Sequence, residues 1–236
     1  MQYMGGKHRQ AKRIVEHFPS GGVYVEPFLG AASVAVLAAP LYETSLLSDA
    51  NADLIELWRR AVVGDWVAPD EHISEERYAV LRAGGGSAAD RAFAATALSF
   101  AGRWFEGFAR NRVGTDYYGA GLRSVGRKAA ALSGARCVTI SRADYAELSG
   151  IGSGCVVYCD PPYAGTKGYS RVKGFDSGRF WEVATGWAEA GASVFVSEYS
   201  APDGWVAVDT WERTNSVRLG STITDVESLY VYEGGV

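Results

Sequence analysis

The chain has 236 residues, 47% hydrophobic and 21% charged, with a net charge of −4; that is enough for one sizeable core and too apolar for a disordered segment. No apolar run is long enough to cross a bilayer, and residues 1–7 lack the apolar stretch of a signal peptide, so a cytoplasmic protein with no membrane partner is expected. Cys137, Cys155 and Cys159 with the scattered His8, His17 and His72 form neither a disulfide framework nor a metal-ligand set; the cysteines are expected to be small buried apolar residues, and no metal is expected.

Residues 3–7, Tyr-Met-Gly-Gly-Lys, precede a short helix marked by Ala11, Ile14, Val15 and Phe18 and stopped by Pro19 and Gly21-Gly22. Lys7 beside two glycines is partly similar to a phosphate loop, but no Ser/Thr follows it and no strand precedes it, which argues against ATP. Lys7 is then either a cation able to hold a carboxylate or a solvated lysine. Val23-Tyr24-Val25 predicts the first strand. It runs into Glu26-Pro27-Phe28-Leu29-Gly30-Ala31-Ala32-Ser33 and an alanine-rich helix ending near residue 39, the opening of a nucleotide-binding crossover. A second strand, 45–48, ends at Asp49, nineteen residues after Gly30. An acid at that distance holds ribose hydroxyls in such folds, although Asp49 is equally placed to cap the next helix.

A strongly amphipathic helix is expected over residues 51–63, then helices near 75–82 and 90–101, with Gly84-Gly85-Gly86-Ser87 between them as a flexible joint, and a last one near 122–132. Strand–helix alternation is missing from about 54 to 135. The chain therefore divides into a core of residues 1–53 and 136–236 and a helical insertion of residues 54–135. Strands are expected again at 137–140, 155–160 and 192–197, a helix at 178–190, and an antiparallel pair, 205–211 and 228–232, at one end of the sheet.

The strand Cys155-Val156-Val157-Tyr158-Cys159 runs into Asp160-Pro161-Pro162-Tyr163, and prolines cannot continue a ladder. Asp160 is thus expected at a strand's carboxyl end, where open α/β sheets bind ligands. An exocyclic amine on a nucleobase is a poor nucleophile that needs acceptors for its N–H groups. Asp160 and the Pro161 carbonyl are candidates, with Tyr163 stacking on the base for ~1–3 kcal/mol. The plainer alternative is a strand-ending turn with Asp160 as a cap and Tyr163 in the core.

Charge is uneven along the chain. Residues 103–142 hold eight basic and two acidic residues, +6 against −10 for the rest, interleaved with Trp104, Phe105, Phe108, Tyr117 and Tyr118. That mixture suits phosphates and bases. Arg103, Arg110, Asn111, Arg112, Arg127 and Lys128 are the candidates for DNA contact: Arg127 and Lys128 to phosphates, Arg110 and Asn111 to base edges. Lys167 and Arg171, with Lys173, mark a glycine- and serine-rich basic loop after Tyr163.

Taken in order, residues 3–7, 26–30, Asp49, the central insertion, 160–163, 196–199 (Val-Ser-Glu-Tyr) and 227–230 (Glu-Ser-Leu-Tyr) resemble the Dam-like adenine-specific DNA methyltransferases. The resemblance implies an α/β Rossmann-like methyltransferase core with an inserted, mainly helical target-recognition part, S-adenosylmethionine as methyl donor, and adenine flipped out of double-stranded DNA. By position it implies Tyr3 and Lys7 at the methionine end of the donor, Glu26, Phe28 and Gly30 shaping its loop, Asp49 on its ribose, and Tyr145 near its adenine. Asp160, Pro161, Pro162 and Tyr163 would hold the target base. The family's Phe-x-Gly-x-Gly turn reads Phe28-Leu29-Gly30-Ala31-Ala32 here, which removes one glycine. The rival readings are another amine on the same fold, in cytosine, RNA adenine or a glutamine side chain, and a silent DNA-binding protein. No oligomer is implied.

Overall fold

The computed structural model describes residues 5–69, 73–110, 114–163, 175–216 and 222–234, the side chains of 213–216 and 222–225 excepted. Its frame is a seven-stranded sheet: β1 Val23–Glu26, β2 Thr44–Asp49, β3 Val138–Arg142, β4 Cys155–Cys159, β5 Ser193–Glu198, β6 Trp205–Ser216 and β7 Thr222–Tyr232. The order across the sheet is β3-β2-β1-β4-β5-β7-β6. The first five strands are parallel, whereas β7 runs antiparallel to both β5 and β6. Chain order reverses between β1 and β4, so the crevice of this doubly wound α/β sheet opens at their carboxyl ends.

Both faces of the sheet are buried, and the strand residues divide between them with period two. Tyr24, Val156, Tyr158 and Phe195 face one core together with Ile14 of α1 (Ala11–Val15), Ala35 of α2 (Ala35–Ala38) and Leu54 and Trp58 of α3 (Ala52–Val63). The same core takes Leu81 of α4 (Glu75–Arg82), Phe93 of α5 (Ala88–Ala97), and Val125 and Leu132 of α6 (Tyr117–Ser133). Val25, Val157, Cys159, Val194 and Val196 face the other core, closed by Phe180, Ala184 and Trp187 of α7 (Ser177–Glu189). All the described helix between β2 and β3 thus packs on one side, sharing a core with the sheet.

Local chemistry explains the helix starts. Asn51 caps α3 by accepting from the amides of Asp53 and Leu54, Ser74 caps α4, Ser87 caps α5, and Asp116 caps α6. Asp49 is therefore not the cap of α3. The glycines expected to form a flexible joint make a tied turn instead: Arg91 donates to the carbonyls of Gly84 and Gly86 while it grips Asp53 of α3 with two hydrogen bonds of 2.8 and 2.6 Å. The helix expected over 90–101 stops at Ala97, because Ala101 and Phe105 adopt positive φ in a closed loop bridged between Ser99 and Phe108. Helix α2 starts at Ala35, two residues after Ser33, and gives way near the expected end to a 3-10 turn through Pro40. Cys155 and Cys159 are buried as expected, whereas Cys137 is exposed. No described helix is long and apolar enough to cross a membrane, and no metal-binding cluster occurs among the described residues.

Candidate active site

Three acids stand at the carboxyl ends of adjacent parallel strands: Glu26 closes β1, Asp49 closes β2, and Asp160 follows β4. They line a cleft of about 820 Å³, within the usual range for cofactor-sized sites. Glu26 is buried and accepts the Tyr24 hydroxyl at 2.5 Å. Burial pushes its carboxyl up to about 8; Asp160 adds to the shift, and the Tyr24 hydroxyl and the Lys128 charge oppose it.

The turn after β1 is held from several sides. Leu29 N–H donates to Ser48 carbonyl at 2.8 Å, and Gly30 N–H to Asp49 Oδ2 at 3.0 Å. Trp58 of α3 donates its indole N–H to Gly30 carbonyl at 2.9 Å. Asp49 Oδ1 accepts from Asn51 N–H at 2.9 Å. Burial raises the Asp49 carboxyl, and these two amides counter it. Each of its oxygens keeps a second lone pair, so the acid that orders the turn retains capacity for a pair of hydroxyls. The apolar wall is an aromatic cluster: Phe28 packs against Tyr145, Phe175 and Phe180, with ring centroids 5.4, 6.1 and 5.7 Å away.

At the other end of the cleft, four residues from three remote segments converge. Lys7 Nζ donates to Asp160 Oδ1 at 2.5 Å, to Tyr163 hydroxyl at 2.5 Å and to Gly5 carbonyl at 3.0 Å, and lies 3.2 Å from Glu227 Oε1. Tyr163 hydroxyl can donate to Glu227 Oε1 at 2.7 Å or to Asp160 Oδ1 at 3.0 Å. An ammonium has three donors, so Lys7 is saturated by protein groups. It serves Asp160 directly rather than standing open for a ligand's carboxylate. Burial raises the Asp160 carboxyl, Lys7 pulls it back down, and Glu227 raises it again. Asp160 Oδ2 accepts no hydrogen bond among the described residues, while Pro162 beside it also lines the cleft. Tyr163 packs edge-on to Tyr199 at 4.9 Å with its hydroxyl in this network.

Glu227, fully buried on β7, has no role legible in the sequence beyond its place in the 227–230 segment. Its signal was an acid on the same strand face as Leu229 and Val231. Trp58, Asn51 and Phe175 were likewise missed as site residues. Asn51 and Trp58 were covered by the amphipathic helix expected over 51–63, and Phe175 by the loop after Tyr163.

The described arginines of the basic stretch are exposed, but several are paired with acids. Arg103 reaches the cleft and pairs with Glu106 at 3.3 Å. Arg110 is clamped by Glu75 through two hydrogen bonds, Arg123 pairs with Asp116, and Arg136 with Glu43. Lys128 departs from the phosphate contact expected of it: its ammonium turns inward to Ala31 carbonyl at 2.5 Å and Ser33 hydroxyl at 3.2 Å. Arg127 remains exposed on α6. Tyr3, Asn111, Arg112, Lys167, Arg171 and Lys173 lie outside the described residues.

Residues 3–83 match the family model of the D12 class N6 adenine-specific DNA methyltransferases. The chain is 27% identical over 226 residues to the DNA N-6-adenine-methyltransferase of Escherichia phage P1, covering 86% of this chain and 30% of that protein. It is 29% identical over 187 residues to the DNA adenine methylase of Vibrio cholerae, covering 70% and 64%. The chain thus spans less than two thirds of either relative. Among solved structures, TrmN from Thermus thermophilus overlaps 95% of this chain and 48% of its own, at 13% identity and a TM-score of 0.41. By residues 3–83 and by these relatives, the chain is thus similar to the D12 class adenine-specific DNA methyltransferases, the family whose motifs it resembles.

Proposed function

We propose that the chain transfers a methyl group from S-adenosylmethionine to the exocyclic 6-amino group of an adenine turned out of double-stranded DNA. The observation that carries this reading is Asp160. It is held at the switch point by Lys7 with Oδ2 unpartnered among the described residues, in the same cleft as the Gly30 turn, Asp49 and the aromatic wall.

The residues present fit the donor. Asp49 has acceptor capacity for ribose hydroxyls, the Gly30 turn offers close backbone, and Phe28 with Tyr145 offers an aromatic face to a purine. When bound, S-adenosylmethionine supplies a methyl carbon already activated by its sulfonium, and S-adenosylhomocysteine is the product. The protein then has to bind, align and exclude water, an orientation effect that can supply ~7–11 kcal/mol. Asp160 accepts an N–H of the target amine and stabilises the positive charge that develops on that nitrogen. Lys7 lowers the Asp160 carboxyl that burial raises, and Tyr163 and Glu227 hold Lys7 in place. Residues 54–135 form the target-recognition part, with Arg127 at the phosphates, Arg103 at the mouth of the cleft, and Arg110 released from Glu75 to read a base.

The test is methylation of mixed-sequence duplex DNA with labelled S-adenosylmethionine, with RNA and single-stranded DNA in parallel, followed by nucleoside analysis. N6-methyladenine in duplex DNA is expected. Label in cytosine or only in RNA overturns the substrate, and no transfer to any of them overturns the activity.

A further inference from the structure

The turn after β1 contains a backbone oddity that the helical segment explains. Ala32, fully buried, has φ 54, in the left-handed region where the Cβ of an alanine crowds the backbone. Such a residue persists only where its surroundings over-determine it. One restraint is local, Ala32 N–H donating to Leu29 carbonyl at 2.7 Å. The restraint on either side of Ala32 comes from 95 or more residues away: Lys128 Nζ donates to Ala31 carbonyl at 2.5 Å and contacts Ser33 hydroxyl at 3.2 Å. The Ala31 carbonyl belongs to the peptide plane whose rotation sets φ of Ala32. Lys128 therefore grips the bond that must be held, and its second contact pins the following residue.

A half-buried ammonium tied to a carbonyl and a hydroxyl gives up much of its hydration, and a solvated lysine would avoid that position. Its place on α6, packed against the core through Val125 and Leu132, keeps it there. The turn it grips lines the cleft with Phe28, Gly30 and Ser33. We propose that Lys128 is a positioning residue that clamps the 31–33 turn in its ligand-binding shape, so that α6, and not the sheet alone, sets cofactor affinity. The identity of the ligand rests on the proposed function; the clamp itself does not.

The experiment is a double-mutant cycle on Lys128 and Ala32, read by calorimetric titration of S-adenosylhomocysteine and by amide hydrogen exchange of the unliganded protein. Lys128→Met keeps the apolar stem and removes the charge-assisted donor, and it should weaken affinity about tenfold. In an Ala32→Gly background, where positive φ is intrinsically accessible, the same change should weaken it about threefold or less. Lys128→Arg, which keeps charge and donors, should retain most of the affinity and guards against a Met variant that fails to fold. In unliganded Lys128→Met, exchange should quicken within residues 29–34 and stay unchanged in β4. An equal loss in both backgrounds, or unchanged affinity in Lys128→Met, overturns the proposal. Wild-type protein that binds no S-adenosylhomocysteine sinks the proposed function instead. The clamp then stands if exchange quickens and falls if it does not.

Discussion

Lys7 and Asp160, 153 residues apart, meet at 2.5 Å with the lysine only 3% exposed and the acid 19%. This pair sets how far burial raises the carboxyl at the switch point. Burial alone would favour the protonated acid, which cannot accept an amine N–H through both oxygens, and the adjacent ammonium opposes that. Lys7→Met should therefore raise the Asp160 carboxyl, move the acidic limb of the kcat profile to higher pH, and lower kcat at neutral pH by on the order of a hundredfold. A kcat profile unmoved along the pH axis would show that Lys7 does not act through Asp160.

Glu227 acts on the same carboxylate with the opposite sign, since its charge raises Asp160. Glu227→Gln removes that charge, keeps the shape, and keeps an acceptor for the Tyr163 hydroxyl 2.7 Å away. The acidic limb should move to lower pH, opposite to Lys7→Met. Parallel pH–rate profiles of the two variants check this, and shifts in the same direction would mean that the network responds as packing rather than as charge.

Much of this site was readable one strand at a time. Strand ends at Glu26, Asp49 and Asp160 follow from apolar runs broken by Pro27, Asp49-Ala50-Asn51 and Pro161-Pro162, because local chain chemistry sets where a strand stops. The antiparallel end of the sheet followed from two strand patterns with no helix between them. What escaped was whatever depends on which remote side chains meet. Lys128 carries the same charge in sequence whether it faces a phosphate or the Ala31 carbonyl, and Glu75, 35 residues before Arg110, gives no local sign that it will neutralise it. The positive φ of Ala32 was hidden for a related reason: an alanine in a glycine's conformation is visible only through the contacts that hold it.

Glu26 makes a statement about stability and pH. Its folded carboxyl is raised to about 8 from 4.5, so between those values the folded state keeps a proton that the unfolded chain has lost. Stability should then fall as pH rises through that window, by up to about 1.4 kcal/mol per pH unit. Glu26→Gln, which can still accept from Tyr24, removes this slope. Urea unfolding of both proteins at pH 5 and pH 8 should show the variant gaining on wild type by a few kcal/mol at the higher pH. Parallel curves would mean that Glu26 titrates normally in the fold.

The DNA-facing surface is best tested by two arginines that the fold treats differently. Arg127 is exposed on α6, one residue before the inward-turned Lys128, so it can meet a phosphate without disturbing the cleft. Arg110 is held by both oxygens of Glu75 and must give up that pair before it touches a base. Phosphate contacts release counterions, so log affinity should fall linearly with log salt at about 0.9 per phosphate neutralised. Arg127→Ala should lower that slope by about one and leave the methylated site unchanged. Glu75→Gln frees Arg110 and removes a negative charge, so it should tighten binding. Arg110→Ala should leave the slope close to wild type and relax the preference among sites, since a bidentate base contact is worth about 1–3 kcal/mol of discrimination. Salt titrations of duplex binding, with sequencing of the methylated sites, measure both quantities. If Arg127→Ala leaves the slope intact and Arg110→Ala leaves the site preference intact, the duplex is held by a different surface than α6 and the loop before it.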